Sequence, residues 1–127
     1  GLKGHSDGDC LIHAICDAIL GAAGLGDIGE HFPDTDEKNK NIDSRIILED
    51  ILKKIKNKGF RIENIDVNII AQVPKLTPFK NDIKLKLAEI MAIAPSQINI
   101  KAKTKEHLDA VGQKLAIECQ AIVQLIK

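Results

Sequence analysis

Between residues 43 and 72 the apolar residues change their spacing from every third or fourth position to every second one. Asp43-Ser44 offers a cap to Ile47, Leu48, Ile51, Leu52 and Ile55, a stripe on one side of a helix that Gly59 ends. Lys53, Lys54, Lys56 and Lys58 crowd the last turns of that helix and read as a solvated face that complements its dipole. Ile65-Asp66-Val67-Asn68-Ile69 then alternates apolar with polar, the pattern of a strand with one buried face, and continues into Ile70-Ala71-Gln72 as a strand more buried towards its end. A capped helix followed so soon by a period-two strand commits the chain to layers of helix on sheet.

The rest of the sequence repeats that grammar. A helix is expected from about Asn81 to Ala92, with Ile83, Leu87, Ile90 and Met91 inward and Pro95-Ser96 breaking it. Ile98-Asn99-Ile100-Lys101-Ala102 is a second alternating strand, leading into a short helix that begins near Thr104-Lys105-Glu106. A last strand puts Ile117, Cys119, Ala121, Val123 and Leu125 on one face. With 127 residues, 44% of them apolar, the chain suffices for one α/β layered domain spanning residues 1–127, and a chain of this size buries roughly 68% of its unfolded surface. Val73-Pro74-Lys75-Leu76 ends the first strand. Lys75, at a strand end and beside proline, is placed to meet a ligand, although a solvated lysine is the ordinary reading.

Charge and composition exclude several partners. Eighteen basic residues balance eighteen acidic ones, aromatic content is 2%, and Trp and Tyr are absent. Neither the basic excess nor the stacking platforms of a nucleic-acid binder are present. Arg45 and Arg61 are the only arginines, so phosphate recognition falls to lysine, backbone N–H groups or a metal. No apolar run reaches the roughly 18 residues of a membrane span. Cys10, Cys16 and Cys119 form an odd set without a C-x-x-C pair, which points to a reducing compartment.

The chemistry concentrates near the start. Gly4-His5-Ser6-Asp7-Gly8-Asp9 sets two glycines and several natural capping residues before the run Cys10-Leu11-Ile12, so a helix is expected to begin near Asp9 and to end at Gly24 and Gly26. His13 and Asp17 sit one turn apart on it. They suit one metal ion or one phosphate, although a hydrogen-bonded pair or a solvated edge is the ordinary reading. Cys16 is either a second ligand or a small buried side chain. Gly26-Asp27-Ile28-Gly29 reads as a loop and Phe32-Pro33-Asp34-Thr35-Asp36 as a carboxylate-rich turn. Thr104 serves as an N-cap or as an anion contact.

His5-Ser6-Asp7-Gly8-Asp9 with His13, then Leu20-Gly21-Ala22-Ala23, Gly26-Asp27-Ile28-Gly29, Phe32-Pro33-Asp34-Thr35-Asp36, Asp43-Ser44-Arg45, Ile69-Ile70-Ala71-Gln72 and Pro74-Lys75, in this order, resemble the 2-C-methyl-D-erythritol 2,4-cyclodiphosphate synthase family over essentially the whole chain. The resemblance implies an enzyme of the non-mevalonate isoprenoid pathway that cyclises 4-diphosphocytidyl-2-C-methyl-D-erythritol 2-phosphate and expels CMP. It implies an α+β layered sandwich, one sheet covered by helices on one face, and a homotrimer formed through the sheets with sites shared between neighbours. A bacterial cytoplasm or a plastid stroma fits such an enzyme. The alternative is a non-catalytic nucleotide-binding trimer that lacks a complete zinc site.

Carried over by position, His13 resembles a zinc ligand, and His5 with Thr104 resembles the pair that stabilises the transition state. Ser6, Asp17, Asp27, Ile28 and Gly29 look like substrate contacts, as do Phe32, Pro33, Asp34, Thr35 and Asp36 around the methylerythritol. Ala71, Gln72, Val73, Pro74, Lys75, Leu76 and Thr77, with Ala102, Lys103, Thr104, Lys105 and Glu106, look like the cytidine and diphosphate cradle. Glu106 resembles the ligand of a second divalent ion, magnesium or manganese. The family's two other zinc ligands form an Asp-x-His pair upstream of the opening motif, and this sequence starts after it. Further on, Gln113, just past Ala110, stands where the family commonly has Arg, so any phosphate contact there falls to Lys114 as a point charge.

Overall fold

In the computed structural model three strands form one sheet: β1 (Arg61–Ile70), β2 (Ile98–Lys103) and β3 (Glu118–Ile126), in the order β2-β1-β3. The structure describes residues 5–71, 77–103 and 117–127, without the side chains of residues 5–7 and 77. β1 runs parallel to β2, from Ile65 opposite Ile98 to Ile70 opposite Lys103, and antiparallel to β3, from Arg61 opposite Ile126 to Ile70 opposite Glu118. β1 therefore begins four residues before the alternating run. A register irregularity between Ile62 and Asn64 interrupts its period-two pattern there, while pairing with β3 continues.

Helices α1 (His5–Ala23), α3 (Ser44–Asn57) and α4 (Lys80–Met91) cover the face of the sheet that carries Ile65, Val67 and Ile69. α1 lies against β3 and β1, α4 against β2, and α3 packs on both helices. Ile15, Ile19, Leu20, Leu48, Ile51 and Ile55 are fully buried between the layers, and the stripe read from the sequence is the core face of α3. Each such aliphatic side chain contributes about 1.5–3 kcal/mol by leaving water. The expected helical covering of one sheet face is therefore observed.

The helix ends follow their residues. At the end of α1 the Leu25 N–H reaches back to the Leu20 carbonyl at 2.8 Å and Gly24 to Gly21 at 3.1 Å, with Gly24 at φ +71°. Gly59, φ +85°, closes α3 with the same pair of bonds, Phe60 to Ile55 and Gly59 to Lys56. Asp43 caps α3 through the Arg45 N–H.

Two expectations are corrected. α1 starts at His5 rather than near Asp9, because Ser6, Asp7 and Asp9 are well tolerated in a first helical turn, where acidic groups face the positive end of the dipole. The 26–29 segment is not simply a loop: residues Ile28–His31 form a one-turn helix, α2, with Asp27 as its cap.

Candidate functional site

His13 and Asp17 lie on the same exposed face of α1, as their spacing requires. The Asp17 Oδ1 accepts the backbone N–H of Ile28 at 3.1 Å, and Asp27 Oδ1 accepts the N–H of Glu30 at 3.0 Å. Two carboxylates thus fix the turn at 27–29, one from a distant helix and one from within. Gly26 enters it at φ +86°, with the Glu30 carboxylate folded over its α-carbon, where a side chain would collide. Asp27, Ile28 and Gly29 are brought onto the flank of the helix that bears His13.

The start of α1 is tied down from two sides. Ser44, 2% exposed, donates its hydroxyl to Asp9 Oδ1 at 2.5 Å, joining the first turn of α3 to α1. Cys10 Sγ approaches the Ile117 carbonyl at 3.9 Å, just ahead of β3. Glu118 opens β3 opposite Ile70, so the beginning of α1 sits at the carboxyl end of β1. Cys16 is wholly buried, and burial, reinforced by the Asp17 charge, pushes its thiol up to about 12. In the native fold it packs as a small core residue between α1 and its neighbours, in keeping with the second of the two readings of Cys16.

The segment 32–36 forms the expected turn. The Asp36 N–H donates to the Pro33 carbonyl at 3.1 Å, Asn39 Nδ2 to the same carbonyl at 2.8 Å, and Asp36 Oδ1 accepts the Lys38 N–H at 3.2 Å. Asp34 and Thr35 are exposed, while Phe32 turns inward against the core. Beside it, Lys54 departs from the solvated-face reading. Its ammonium meets Asp50 Oδ2 at 2.8 Å and His31 Nδ1 at 3.0 Å, and lies 5.2 Å from the centre of the Phe32 ring.

The two stretches expected to cradle the nucleotide leave the sheet side by side. Ala71 donates its N–H to the Lys103 carbonyl at 3.0 Å, and Ala102 lies opposite Ile69 across parallel β1 and β2. Both chains thus exit at carboxyl ends of adjacent parallel strands, the edge where open α/β sheets commonly bind ligands. Gln72, Val73, Pro74, Lys75 and Leu76, and Thr104, Lys105, Glu106, Ala110 and Gln113, lie outside the described residues, as do the short helix after Thr104 and the side chains of His5, Ser6 and Thr77.

Among the described residues no group of three His, Cys, Asp or Glu side chains stands ready to hold a metal ion. His13 is one nitrogen donor, where a catalytic zinc takes about three protein ligands. Sequence reasoning missed Ser44, His31 and Lys54. Ser44 was legible only as an N-terminal helix residue, and the lysine only as one of four.

A model of the YgbB family matches residues 1–126. The 2-C-methyl-D-erythritol 2,4-cyclodiphosphate synthase of Francisella tularensis subsp. novicida is 53% identical over 127 residues, all of this chain and 80% of that protein. This chain belongs to that synthase family. The Photobacterium profundum synthase is 50% identical over 97% of this chain and 78% of its own length. Among solved structures, the bifunctional IspDF of Campylobacter jejuni matches with a TM-score of 0.86 and 46% identity, over 98% of this chain and 34% of that one. An IspF–CDP complex of Plasmodium falciparum matches with a TM-score of 0.82 and 44% identity, over 97% and 74%. Membership makes the chain a cyclodiphosphate synthase, an enzyme of the lyase class in isoprenoid biosynthesis, and does not favour the non-catalytic alternative. Among the described residues, no helix of this synthase is long and apolar enough to cross a membrane.

Proposed function

We propose that the chain converts 4-diphosphocytidyl-2-C-methyl-D-erythritol 2-phosphate to 2-C-methyl-D-erythritol 2,4-cyclodiphosphate and CMP. An oxygen of the 2-phosphate forms the new bond to the β-phosphorus. The bond from that phosphorus to the bridging oxygen breaks, and its electron pair leaves on CMP. No side chain acts as nucleophile, so the protein contributes positioning and charge stabilisation. The observation that carries this reading is identity of 50–53% to named synthases over nearly the whole chain.

In this reading His5 and Thr104 stabilise the transferring phosphoryl group. Ser6 and the 27–29 turn hold the methylerythritol phosphate and ribose, with Asp17 fixing the turn, and residues 32–36 shape the methylerythritol pocket. Residues 71–77 and 102–106 cradle the cytidine and diphosphate, an arrangement supported by the paired exits of β1 and β2. His13 is assigned to zinc and Glu106 to magnesium or manganese; such ions, when bound, neutralise charge on phosphoryl oxygens.

The same reading makes the active unit a homotrimer joined through the sheet face opposite the helices. That face carries Ile122, 73% exposed, and the Asn68 Oδ1, buried without a hydrogen-bond partner among the described residues. The test compares metal content and CMP release in the wild type and in His13→Ala. The reading expects zinc and CMP release to fall together with the fold retained. A variant that keeps its zinc and full CMP release overturns the assignment of His13.

A further inference from the structure

We propose that Lys54 is a positioning residue for the substrate turn at 32–36, acting through His31; the inference rests on the synthase reading of that turn. Lys54 sits in the last turns of α3, where three neighbouring lysines point to water. Its own ammonium has three partners. Asp50, one turn back on α3, holds it at 2.8 Å, His31 Nδ1 accepts from it at 3.0 Å, and the Phe32 ring lies under it at 5.2 Å. A lysine has donors only, so the His31 Nδ1 must carry no proton, and the tautomer follows from the network. The proton then sits on Nε2, which donates to the Leu25 carbonyl at 2.7 Å.

The result is a strut that crosses three elements. Asp50 aims the lysine, the lysine fixes His31 at the end of α2, and His31 is pinned to Leu25, just after the glycine that closes α1. The next residue, Phe32, is clamped twice, by the cation on its face and by its own N–H donating to the Ile28 carbonyl at 2.8 Å. Pro33, Asp34, Thr35 and Asp36 continue directly from this clamp, so its geometry sets where their exposed polar groups stand. Asp17 fixes one end of the 27–36 segment and Lys54 fixes the middle.

The experiment compares Lys54→Met with Lys53→Met, an exposed lysine on the same helix, and with Lys54→Arg. Amide exchange at Phe32 and Asp36 is read in the unliganded protein, together with KM and kcat for the cytidylyl methylerythritol substrate and affinity for CDP. Lys54→Met is expected to speed exchange at both amides and to raise KM about tenfold, the scale of losing a charge-assisted hydrogen bond. CDP affinity, built mainly by residues 71–77 and 102–106 with the ribose on the Asp17-anchored 27–29 turn, is expected to fall less than KM rises, and Lys54→Arg recovers part of the loss. The inference is overturned if Lys54→Met matches Lys53→Met, or if exchange quickens while KM does not move. A wild type that releases no CMP overturns the synthase reading and the substrate half of this inference, and the exchange rates alone then decide the strut.

Discussion

The Asp17 carboxylate takes the backbone N–H of Ile28 at 3.1 Å, so the helix face that bears His13 also anchors the turn at 27–29. Asp17→Ala frees that turn. The expected cost in unfolding free energy is about 1 kcal/mol, the usual net worth of such a bond, with a higher KM for the cytidylyl substrate. Asp17→Asn keeps an acceptor oxygen and is expected to stay close to wild type. Urea denaturation and steady-state CMP release check both variants.

Ser44 is buried and bound to Asp9, and its removal strands a half-buried carboxylate. Ser44→Ala is expected to cost about 1–3 kcal/mol, read as a lower denaturation midpoint with an unchanged m-value.

Ala92 closes α4 at φ +55°, where the Ile93 N–H bonds to the Ala88 carbonyl at 3.1 Å in the manner that Gly24 and Gly59 allow elsewhere. A β-carbon is unfavourable there. Ala92→Gly is expected to raise stability by about 0.5–1 kcal/mol, measured by chemical denaturation.

Two groups give stability a dependence on pH, with opposite signs. Asp66 is held below the usual carboxylate range by hydrogen bonds from Asn99 and then from Lys101. Its contribution is therefore present above that range and lost as pH falls through the native value. Cys16 keeps its proton in the native state up to about 12, while the unfolded thiol ionises near its ordinary value. Its contribution is present below roughly pH 8.5 and is lost as pH rises from there to the native value. Denaturation curves of Asp66→Asn and Cys16→Ala against pH check both. Each variant is expected to flatten one limb and leave the other.

The sequence made local periodicity legible and left long-range side-chain bonds hidden. The stripe from Ile47 to Ile55, the Asp43 cap and the glycine stops are written in neighbouring residues, so α3 and the end of α1 are found where they were expected. The start of β1 was not, because its irregularity at Ile62 and Asn64 breaks the alternation while β3, far along the chain, continues to pair with it. Nor was α2, a single turn stabilised by a carboxylate eleven residues earlier. For the site, composition and spacing pointed to His13 and Asp17 as a pair without saying what Asp17 binds. Lys54 was indistinguishable from its neighbours, since only the fold brings His31 and Phe32 to it.

The most direct test of the account follows the phosphorus. The purified full-length protein, supplied with zinc and magnesium, is given 4-diphosphocytidyl-2-C-methyl-D-erythritol 2-phosphate and watched by phosphorus NMR. The account predicts that CMP and a cyclic diphosphate appear in equal amounts, with no inorganic phosphate. Unchanged substrate, or inorganic phosphate without CMP, would contradict it.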